Sequence, residues 1–552
     1  MTWFQNLADA LVKLDPQRLP DNDETRAVVL EHIPKSFTLA ELAAHSRTAI
    51  DSLSSEKNKT NPKPTTHQHV LSAITTCLRL GDERIQTVPS PTDGDDNPDD
   101  VAVRELSRIV ARAMAPVVQS VHSQELESDE EADETQDYTA VLQRSRNAAD
   151  PGIKALALLN ARANLSNHTL ANDDEVLVTL AAFTDETDEW VAPEVAAQAR
   201  SLLQQLLPRE AGEQFIVNTV LQRYLRPLFS QSKPASVTAS GRKAEYPERA
   251  GIGEGLPDDS SKTKPWKFTD FRAIAIMSWA VNESDEQLIS KHWPLFIPVL
   301  LILVDDSTTR IRRRGLAILG CFLTKFPSKT LHDTGLAKVF EEAIFPTLSF
   351  LPSLTPEDEC VQLLTPAFTA LLCLASKQST AAKDSKAKDK MLDKILREGV
   401  FMAYFHAKAH ERVVEVLCQQ TSLILAQMGI HAVVHLKDLI PMLTGILTDP
   451  FAPLSPATLI SAIKALEAVL ANCWPRIPQT PWQDEIINGL VVCWLNLVEL
   501  ETKGPQDKLV REALIHLTKV LAAVLKTRDI KLSNEVAPLV ANQHSLKTLF
   551  SE

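Results

Sequence analysis

The chain has 552 residues, more than the roughly 250–300 at which a single hydrophobic core stops growing, so we expect several cores or an array. Its 16 glycines are too few for the tight turns and phosphate loops of doubly wound or barrel enzymes, which favours helices joined by proline-containing bends. The net charge of −14 comes almost entirely from two acidic runs, Asp93 to Asp100 and Glu125 to Asp137. We expect no nucleic-acid binding, because phosphate contact needs a basic stripe.

The first region, residues 1–121, is predicted to form amphipathic helices that are interrupted by prolines and by disordered polar gaps. The last of these helices is predicted at 101–121. Residues 122–137 are predicted to be an acidic disordered segment. Within it Ser128 precedes three acidic residues, the context that acidophilic kinases prefer, and is a candidate phosphorylation site. Phosphorylation would add about −1.5 to −2 charges and could dock a basic surface; the alternative is an unmodified, solubilising tail.

Helical repeats are predicted again over residues 138–229, where apolar residues recur at helical spacing. Residues 230–265 lose this periodicity and are rich in Ser, Lys, Pro and Gly, so we predict a disordered linker. The linker contains Gly251-Ile-Gly-Glu-Gly, but no strand precedes this run and no helix follows it, as a dinucleotide-binding fingerprint would require. We therefore predict no cofactor.

Residues 266–552 are predicted to form a HEAT- or armadillo-like array, because an apolar helical phrase returns about every 48 residues. The phrase stands at or near Pro298, Pro346, Lys394, Pro441 and Gly489. Repeats of about 40–47 residues with two helices are typical of such arrays, whose units bury their apolar faces only against their neighbours. The predicted fold class is all-α: an α-solenoid with disordered acidic and Ser/Lys/Pro-rich insertions.

The compartment is predicted from cysteines and from the lack of a leader or span. None of the seven cysteines has Cys-x-x-Cys spacing, and most lie in apolar helical sequence, as reduced thiols of an intracellular protein do. The N-terminal residues lack the basic and long apolar parts of a signal peptide. Apolar stretches such as 294–304 stop at Asp305, short of the ~20 residues that a membrane span needs. We expect no membrane association and a cytoplasmic and nuclear location.

Two histidine pairs have the i, i+4 spacing of zinc proteases. The pairs are His406 with His410 and His431 with His435. Alanine follows the first histidine of each pair where those enzymes carry the catalytic glutamate, so polar helix positions or caps are favoured over a metal site. Cys473 has no histidine placed to activate it and is predicted to be a core thiol. With no phosphate loop, nucleophile elbow or kinase motif, we predict that the protein is not an enzyme.

Two groups of residues are candidates for partner contacts. The run Arg310 to Arg314 holds four arginines in five helical positions, which cannot share one face. In HEAT-type units an Arg entering the second helix commonly pairs with a turn Asp of a neighbouring repeat, and one or two of the four are expected to do so. The others are free to meet an acidic partner surface. Trp474 and Trp494 belong to a set of three tryptophans within 21 residues. Tryptophan and arginine are enriched at binding hot spots, although each tryptophan is individually more typical of the core of a helical stack.

Four stretches in a fixed order carry a family resemblance. They are His292 to Asp306 with Arg310 to Gly315 after it, Gly335 to Pro352, Leu354-Thr-Pro-Glu-Asp-Glu359, and Asn472-Cys-Trp-Pro-Arg-Ile477. Their combination resembles the Tel-two-interacting protein two family in its fungal form, the smallest subunit of the Triple-T complex. The resemblance covers roughly residues 266–494.

This resemblance implies an α-solenoid scaffold without catalysis that binds Tel-two-interacting protein one, which in turn carries the Tel-two protein. With heat-shock protein ninety and a RuvB-like adaptor complex, the trio matures phosphatidylinositol-kinase-related kinases of the TOR, ATM and ATR types, which act in TOR signalling and the DNA damage response. By analogy, the partner surface is predicted on the C-terminal array. The contact candidates are Arg312, Arg313, Trp474, Arg476 and Trp494.

Two other functions compete with this one. A transport receptor of the importin-like type also uses HEAT repeats, but it would be expected to show a longer array with concave acidic rows, and here the acidic residues concentrate in predicted linkers. An enzyme with a site in the N-terminal half would require clustered titratable groups on helical faces, and the sequence shows none there.

Overall fold

The molecule is described by a computed structural model that covers residues 2–12, 29–55, 66–80, 82–87, 97–118, 131–165, 170–232, 260, 263–378, 385–500 and 505–550. Helices dominate these residues, and β pairing within them is limited to two isolated bridges, Phe37 with Ile85 and Val117 with Asp270. The predicted all-α class is confirmed. Ser128 and most of the predicted linker at 230–265 lie outside the described residues.

The chain divides into two compact units. Unit 1 comprises Met1–Lys233 and Arg249–Val299, and unit 2 comprises Pro234–Glu248 and Leu300–Glu552. The helices up to the division are α1 Trp3–Val12, α2 Leu39–Ser55, α3 His67–Leu80, α4 Pro98–Met114, α5 Glu131–Leu165, α6 Asp174–Ala181, α7 Pro193–Leu206, α8 Arg209–Gln214 with a π-helical continuation Phe215–Leu225 and a last turn Arg226–Leu228, α9 Pro265–Phe268, α10 Arg272–Glu283 and α11 Glu286–Asp305. In unit 1, α1, α3, α5 and α7 pack side by side as one layer, and α2, α4, α6 and α10 as a second.

Helix α4 shows how the sequence sets these elements. Asn97 caps its start by accepting a hydrogen bond from the Asp99 N–H at 3.2 Å, and Pro98 occupies the first turn, where no N–H is needed. The four apolar residues predicted to share one face are all buried: Val103, Leu106, Val110 and Met114. The helix ends at Met114, earlier than predicted, because Pro116 disfavours helical geometry in the residue before it.

The residues that follow the predicted linker pack within unit 1. Trp266 is fully buried, stacks on Phe229 with ring centroids 4.8 Å apart, and donates from its indole nitrogen to Ser232 Oγ at 3.3 Å. The Val118 N–H donates to the Thr269 carbonyl at 2.8 Å. The break after Val299 lies inside α11. The boundary predicted from composition at 230–265 stays a prediction. Loss of apolar periodicity marks a connection, but both flanks of this one belong to the same unit.

The acidic segment predicted to be disordered at 122–137 is partly helical. Residues 131–137 form the first turns of α5, while 122–130 lie outside the described residues. The buried face of α5 begins at Val141 and Leu142, and the helix extends in the N-terminal direction from that face. Charge density alone was therefore a poor criterion for disorder at this position.

Unit 2 is built of alternating helices at the predicted repeat. They are α12 Thr309–Lys325, α13 Ser328–Thr334, α14 Leu336–Ile344 with the 3₁₀ turn Phe345–Ser349, α15 Glu357–Lys377, α16 Ser385–Lys394 with the π-helical stretch Ile395–Phe401 and a last segment Met402–Ala407, α17 Glu411–Met428, the 3₁₀ segment Gly429–His435, α18 Leu436–Thr448, the 3₁₀ turn Ala452–Leu454, α19 Pro456–Cys473, the 3₁₀ turn Trp474–Arg476, α20 Pro481–Glu499, α21 Pro505–Lys526, α22 Leu532–Asn542 and α23 Leu546–Leu549. Helices α12, α15, α17, α19 and α21 pack successively as the first layer. They alternate along the chain with α14, α16, α18 and α20, which carry four of the predicted phrases, so the repeat is confirmed.

The first layer is held together by apolar stripes. Helical spacing predicts an apolar stripe in α19 made of Leu459, Ile460, Ile463, Leu466 and Leu470. Four of these residues are at most 1% exposed, and Ile460 is only half-buried. Each such side chain contributes roughly 1.5–3 kcal/mol on burial, so stacking on both neighbours supplies most of the stability of this helix.

Within the part of the chain that the structure describes, four helical stretches are long and apolar enough, by length and composition alone, to cross a membrane. They are Glu286–Asp305, Glu357–Lys377, Glu411–Thr448 and Pro456–Arg476. The expectation that apolar stretches stop short of spanning length is therefore wrong for Glu286–Asp305, which has 20 residues. Between 44% and 56% of the most apolar window of each stretch is buried inside the protein. Helices in a stack are apolar on more than one face because they pack against several neighbours.

Candidate functional site

The turns that precede the first-layer helices of unit 2 form one edge, here called the N-terminal edge. Its turns lie at residues 306–308, 350–356, 408–410 and 449–455. Side-chain contacts join each turn to the next: Thr309 with Glu359, Asp358 with Arg412, and Glu411 with Ser455 and Thr458. The first-layer helices therefore run parallel, and the turns that follow them form a second edge. This C-terminal edge comprises residues 326–327, 429–435, 474–480 and 527–531.

Arg312 is buried near the start of α12, and its guanidinium is used within the unit. Its Nε donates to the Asp306 carbonyl at 2.9 Å and its Nη2 to the Asp305 carbonyl at 3.2 Å, while the guanidinium carbon lies 4.5 Å from the centroid of the Phe350 ring. Burial lowers the pKa of Arg312, and the two aspartates act in the opposite direction. Arg312 therefore holds the turn that precedes its own helix through backbone carbonyls, and not through the expected pairing with an aspartate of a neighbouring repeat.

Arg313, one residue later, points to a different surface. It is exposed, and no hydrogen bond or ion pair of its guanidinium is found among the described residues. Its charge acts on Arg310: burial and the nearby Arg313 lower the pKa of Arg310 to about 10. Arg313 is therefore an available cation close to the N-terminal edge.

Trp474 and Arg476 form a 3₁₀ turn at the C-terminal edge, directly after α19. The Trp474 side chain is 44% exposed, and Arg476 is also exposed. Trp494 instead lies inside α20 at 2% exposure, where its indole nitrogen donates to the Ser545 carbonyl at 3.0 Å. The Arg511 guanidinium lies 5.4 Å from the centroid of the Trp494 ring.

The five contact candidates thus do not form one surface. Arg312 and Trp494 are interior residues with internal partners, Arg313 lies near the N-terminal edge, and Trp474 and Arg476 lie at the C-terminal edge. Their role in partner binding stays a prediction. The accessible members of the set are Arg313, Trp474 and Arg476.

The histidine pairs do not converge on a common point. His435 Nε2 lies 3.0 Å from Asp393 Oδ1, whereas His431 Nε2 lies 4.0 Å from Asp389 Oδ2, and His410 faces Glu357 at 3.6 Å. Across the described ranges, no group of three or more His, Cys, Asp or Glu side chains is placed to hold a metal ion. Cys473 is fully buried, and burial raises the pKa of its thiol to about 11.

Sequence reasoning missed a concave apolar site on the N-terminal edge. A groove of about 500 Å³, here called the edge groove, opens between residues 404–414 and 445–459. Val414 and Leu459 are buried residues of its lining, and Phe451 is a lining residue that stays 69% exposed. Two more large apolar side chains of these segments are exposed: Phe405 by 74% and Leu454 by 65%.

Polar groups of the edge groove lie on both of its segments. The Asp449 carboxylate accepts a hydrogen bond from the Phe451 N–H at 2.9 Å, and the Glu411 carboxylate accepts one from the Ser455 hydroxyl. Burial, with Cys418 and Asp449, raises the pKa of Tyr404, so this phenol stays neutral at physiological pH. The groove can therefore offer apolar contacts, a hydroxyl and fixed negative charge.

The family model described as the Tti2 family matches residues 176–454 of the chain, slightly more than half of it. The chain belongs to the Tti2 family. The matched region of this Tti2-family chain starts before the resemblance noted at 266–494 and ends before the Asn472–Ile477 motif. It includes Arg312, Arg313 and most of the edge groove, whereas Trp474, Arg476 and Trp494 lie beyond it.

A curated relative is human "TELO2-interacting protein 2", which is 22% identical over 204 residues. The aligned part is 37% of the Tti2-family chain and 38% of the human protein, so the comparison covers well under half of either.

Solved structures give weaker likenesses. A crystal structure of importin beta is 11% identical, with a TM-score of 0.43 over 98% of this chain and 57% of that one. The karyopherin Kap121p bound to the SUMO protease Ulp1p is 11% identical, with a TM-score of 0.36 over 98% of this chain and 52% of that one. At these scores the likeness carries no argument for a transport function in this Tti2-family member.

Proposed function

We propose that the protein is a non-enzymatic scaffold subunit of a Triple-T-type co-chaperone complex. The observation that carries the proposal is the Tti2 family match over residues 176–454. The printed name of the human relative describes that protein as interacting with TELO2, and we extend an interaction of this kind to the present chain. The alternating helices of unit 2 support the proposal because their turns line two edges that other proteins can contact.

In the proposed complex, the chain binds Tel-two-interacting protein one, which carries the Tel-two protein. Together with heat-shock protein ninety and a RuvB-like adaptor complex, the assembly supports the folding and stability of phosphatidylinositol-kinase-related kinases of the TOR, ATM and ATR types. The proposal places the chain in the cytoplasm and the nucleus, where loss of it would lower the amounts of these kinases and impair TOR signalling and the DNA damage response.

Affinity purification of the full chain from its own cells, followed by mass spectrometry, tests this function. We expect two larger helical-repeat proteins in near-equal amounts and a kinase of this class in smaller amount. Depletion of the chain should lower the steady-state level of the kinase without lowering its messenger RNA. Recovery of nuclear-transport cargo instead of the two helical proteins would favour an importin-like receptor and would overturn the proposal.

A further inference from the structure

We propose that the edge groove of unit 2 binds an amphipathic helix of a partner protein whose apolar stripe is bordered by lysine or arginine. The inference deepens the proposed function, on which it rests for the statement that the chain acts through partner proteins. It assigns a place and a chemistry to one of those contacts.

Large apolar side chains are exposed at the edge groove and beside it. Phe451 lines the groove and is 69% exposed, and two neighbours in chain sequence outside the lining, Phe405 and Leu454, are 74% and 65% exposed. Large apolar side chains gathered at a cleft are typical of interaction sites, whereas single exposed ones are ordinary. Val434 provides the contrast, because it is 73% exposed but belongs to the C-terminal edge, away from the groove lining.

The backbone of the groove favours a helix as the occupant. Three backbone carbonyls of the turns already accept hydrogen bonds at 3.0–3.1 Å. The Asp449 carbonyl accepts from the Ala452 N–H, the Phe451 carbonyl from the Leu454 N–H, and the His410 carbonyl from the Val414 N–H. An extended peptide gains its affinity by pairing with free backbone groups at a sheet edge, and these segments offer no such edge. A helix satisfies its own backbone and presents apolar side chains at i, i+3, i+4 and i+7, which suits a groove walled by side chains.

The charges of the groove predict which residues flank the apolar stripe of the bound helix. Each of the two groove segments carries one carboxylate, Glu411 on the first and Asp449 on the second, and each is held in place by a hydrogen bond. The groove lining includes one cation, Lys408. The start of α15, at the neighbouring position of the edge, adds Glu357 and Asp358, which face His410 at 3.6 Å and Arg412. Fixed carboxylates on both walls favour cationic residues along both sides of a bound apolar stripe and repel anionic ones.

The first test uses a displayed library of helical peptides of about 18 residues, or five turns, randomised at every surface position. The library is selected on the purified full chain and counter-selected on the Phe451→Asp variant. We expect enriched peptides to carry an i, i+3, i+4, i+7 apolar stripe with Lys or Arg beside it. Enrichment of acidic borders, or no enrichment over the counter-selection, would overturn the proposal.

The second test measures the most enriched peptide by fluorescence anisotropy. Phe451→Asp should weaken its binding about tenfold or more, since it places a charge on the groove lining where an apolar anchor docks. The matched control is Val434→Asp, which adds the same charge at an equally exposed apolar residue of the other edge and should leave affinity unchanged. An equal loss in Val434→Asp would indicate unspecific apolar binding and would overturn the assignment.

A double variant tests the contribution of the two groove carboxylates. Glu411→Gln and Asp449→Asn keep oxygen acceptors for Ser455 and for the Phe451 N–H, so the turns should keep their shape. The double variant should bind the basic peptide about three- to tenfold less tightly at low salt and lose most of the salt dependence. Unchanged affinity and salt dependence would remove the basic border from the proposal.

Two outcomes separate this inference from the proposed function. If the wild-type chain recovers the two larger helical proteins but no peptide is selected on the groove, the groove assignment fails and the function stands. If the groove selects basic helices but neither protein is recovered, the function fails and the groove stands. A concentration-dependent dimer in sedimentation that Phe451→Asp abolishes would make a second copy the occupant and overturn the choice of partner.

Discussion

In the interior of unit 2, Trp494 is 2% exposed and its indole nitrogen donates to Ser545, whereas at the C-terminal edge Trp474 is 44% exposed. The same contrast separates Arg312, which holds two backbone carbonyls, from Arg313, which is exposed. In each pair the residue type is the same and the position differs. Tryptophan and arginine are enriched at binding hot spots, but one member of each pair is interior here, so the layer or turn in which the residue lies decides its role.

The largest expected difference is between the two tryptophans. Trp494→Ala should lower the free energy of unfolding by about 3–5 kcal/mol, because it opens a cavity and leaves the Ser545 carbonyl without its donor. Trp474→Ala should lower it by about 1 kcal/mol or less, as expected of a half-exposed residue. Urea denaturation followed by circular dichroism measures both. Equal losses would mean that Trp474 is also a core residue.

An interior histidine extends the comparison to unit 1. His67 is buried, and burial together with Arg144 lowers its pKa to about 4. In the unfolded chain His67 has its ordinary pKa of 6.5, so between pH 6.5 and about 4 the unfolded chain binds more protons than the folded chain. The free energy of unfolding therefore falls as the pH drops from about 6.5 to about 4. The difference amounts to about 3 kcal/mol.

His67→Gln should remove that part of the acid sensitivity. The free energy of unfolding of the variant, compared with that of the native chain at pH 7, 5.5 and 4, gives the result directly. His544→Gln, at an exposed position, is the matched control and should follow the native chain at every pH. Parallel pH profiles for the native chain and His67→Gln would show that His67 is not protonated on unfolding in this range.

The arginine pair should differ by a smaller amount. Arg312→Met keeps the apolar stem but removes the donors to Asp305 and Asp306, so we expect a loss of about 2–3 kcal/mol. Arg313→Met should change stability by no more than about 0.5 kcal/mol. Calorimetric melting temperatures measure the two changes. A loss in Arg313→Met as large as in Arg312→Met would place both guanidinium groups in the structure of the unit.

The repeat was readable from the sequence because it depends on a long-range apolar period. The phrases near Pro346, Lys394, Pro441 and Gly489 all fall on helices that alternate with the first layer, and four of the five predicted stripe residues of α19 are buried. The apolar period does not predict which way a single side chain faces. One residue turns a helix by about 100°, so Arg312 and Arg313 point to different surroundings although their sequence context is nearly the same.

The edge groove was out of reach for a related reason. It forms where residues 404–414 meet 445–459, and such a meeting depends on how one repeat stacks on the next. One local signal was available: Phe451 stands between Pro450 and Pro453 in a turn, and turns lie on the surface. A large aromatic residue at such a position indicates either a packed turn or an exposed contact, and only the structure separates the two.

Two glycines of α12 differ in the space that a Cβ atom would have, and this gives the smallest expected difference in stability. A Cβ at Gly315 would lie 2.8 Å from the backbone carbon of Leu303, which cannot move aside without shifting α11, whereas a Cβ at Gly320 would meet nothing within 4 Å. Gly315→Ala should therefore lower the free energy of unfolding by about 1–2 kcal/mol. Gly320→Ala should raise it by up to about 1 kcal/mol, since alanine is the better helix former. If chemical denaturation shows both variants to be stabilised, the two helices do not approach each other as closely at Gly315 as the structure places them.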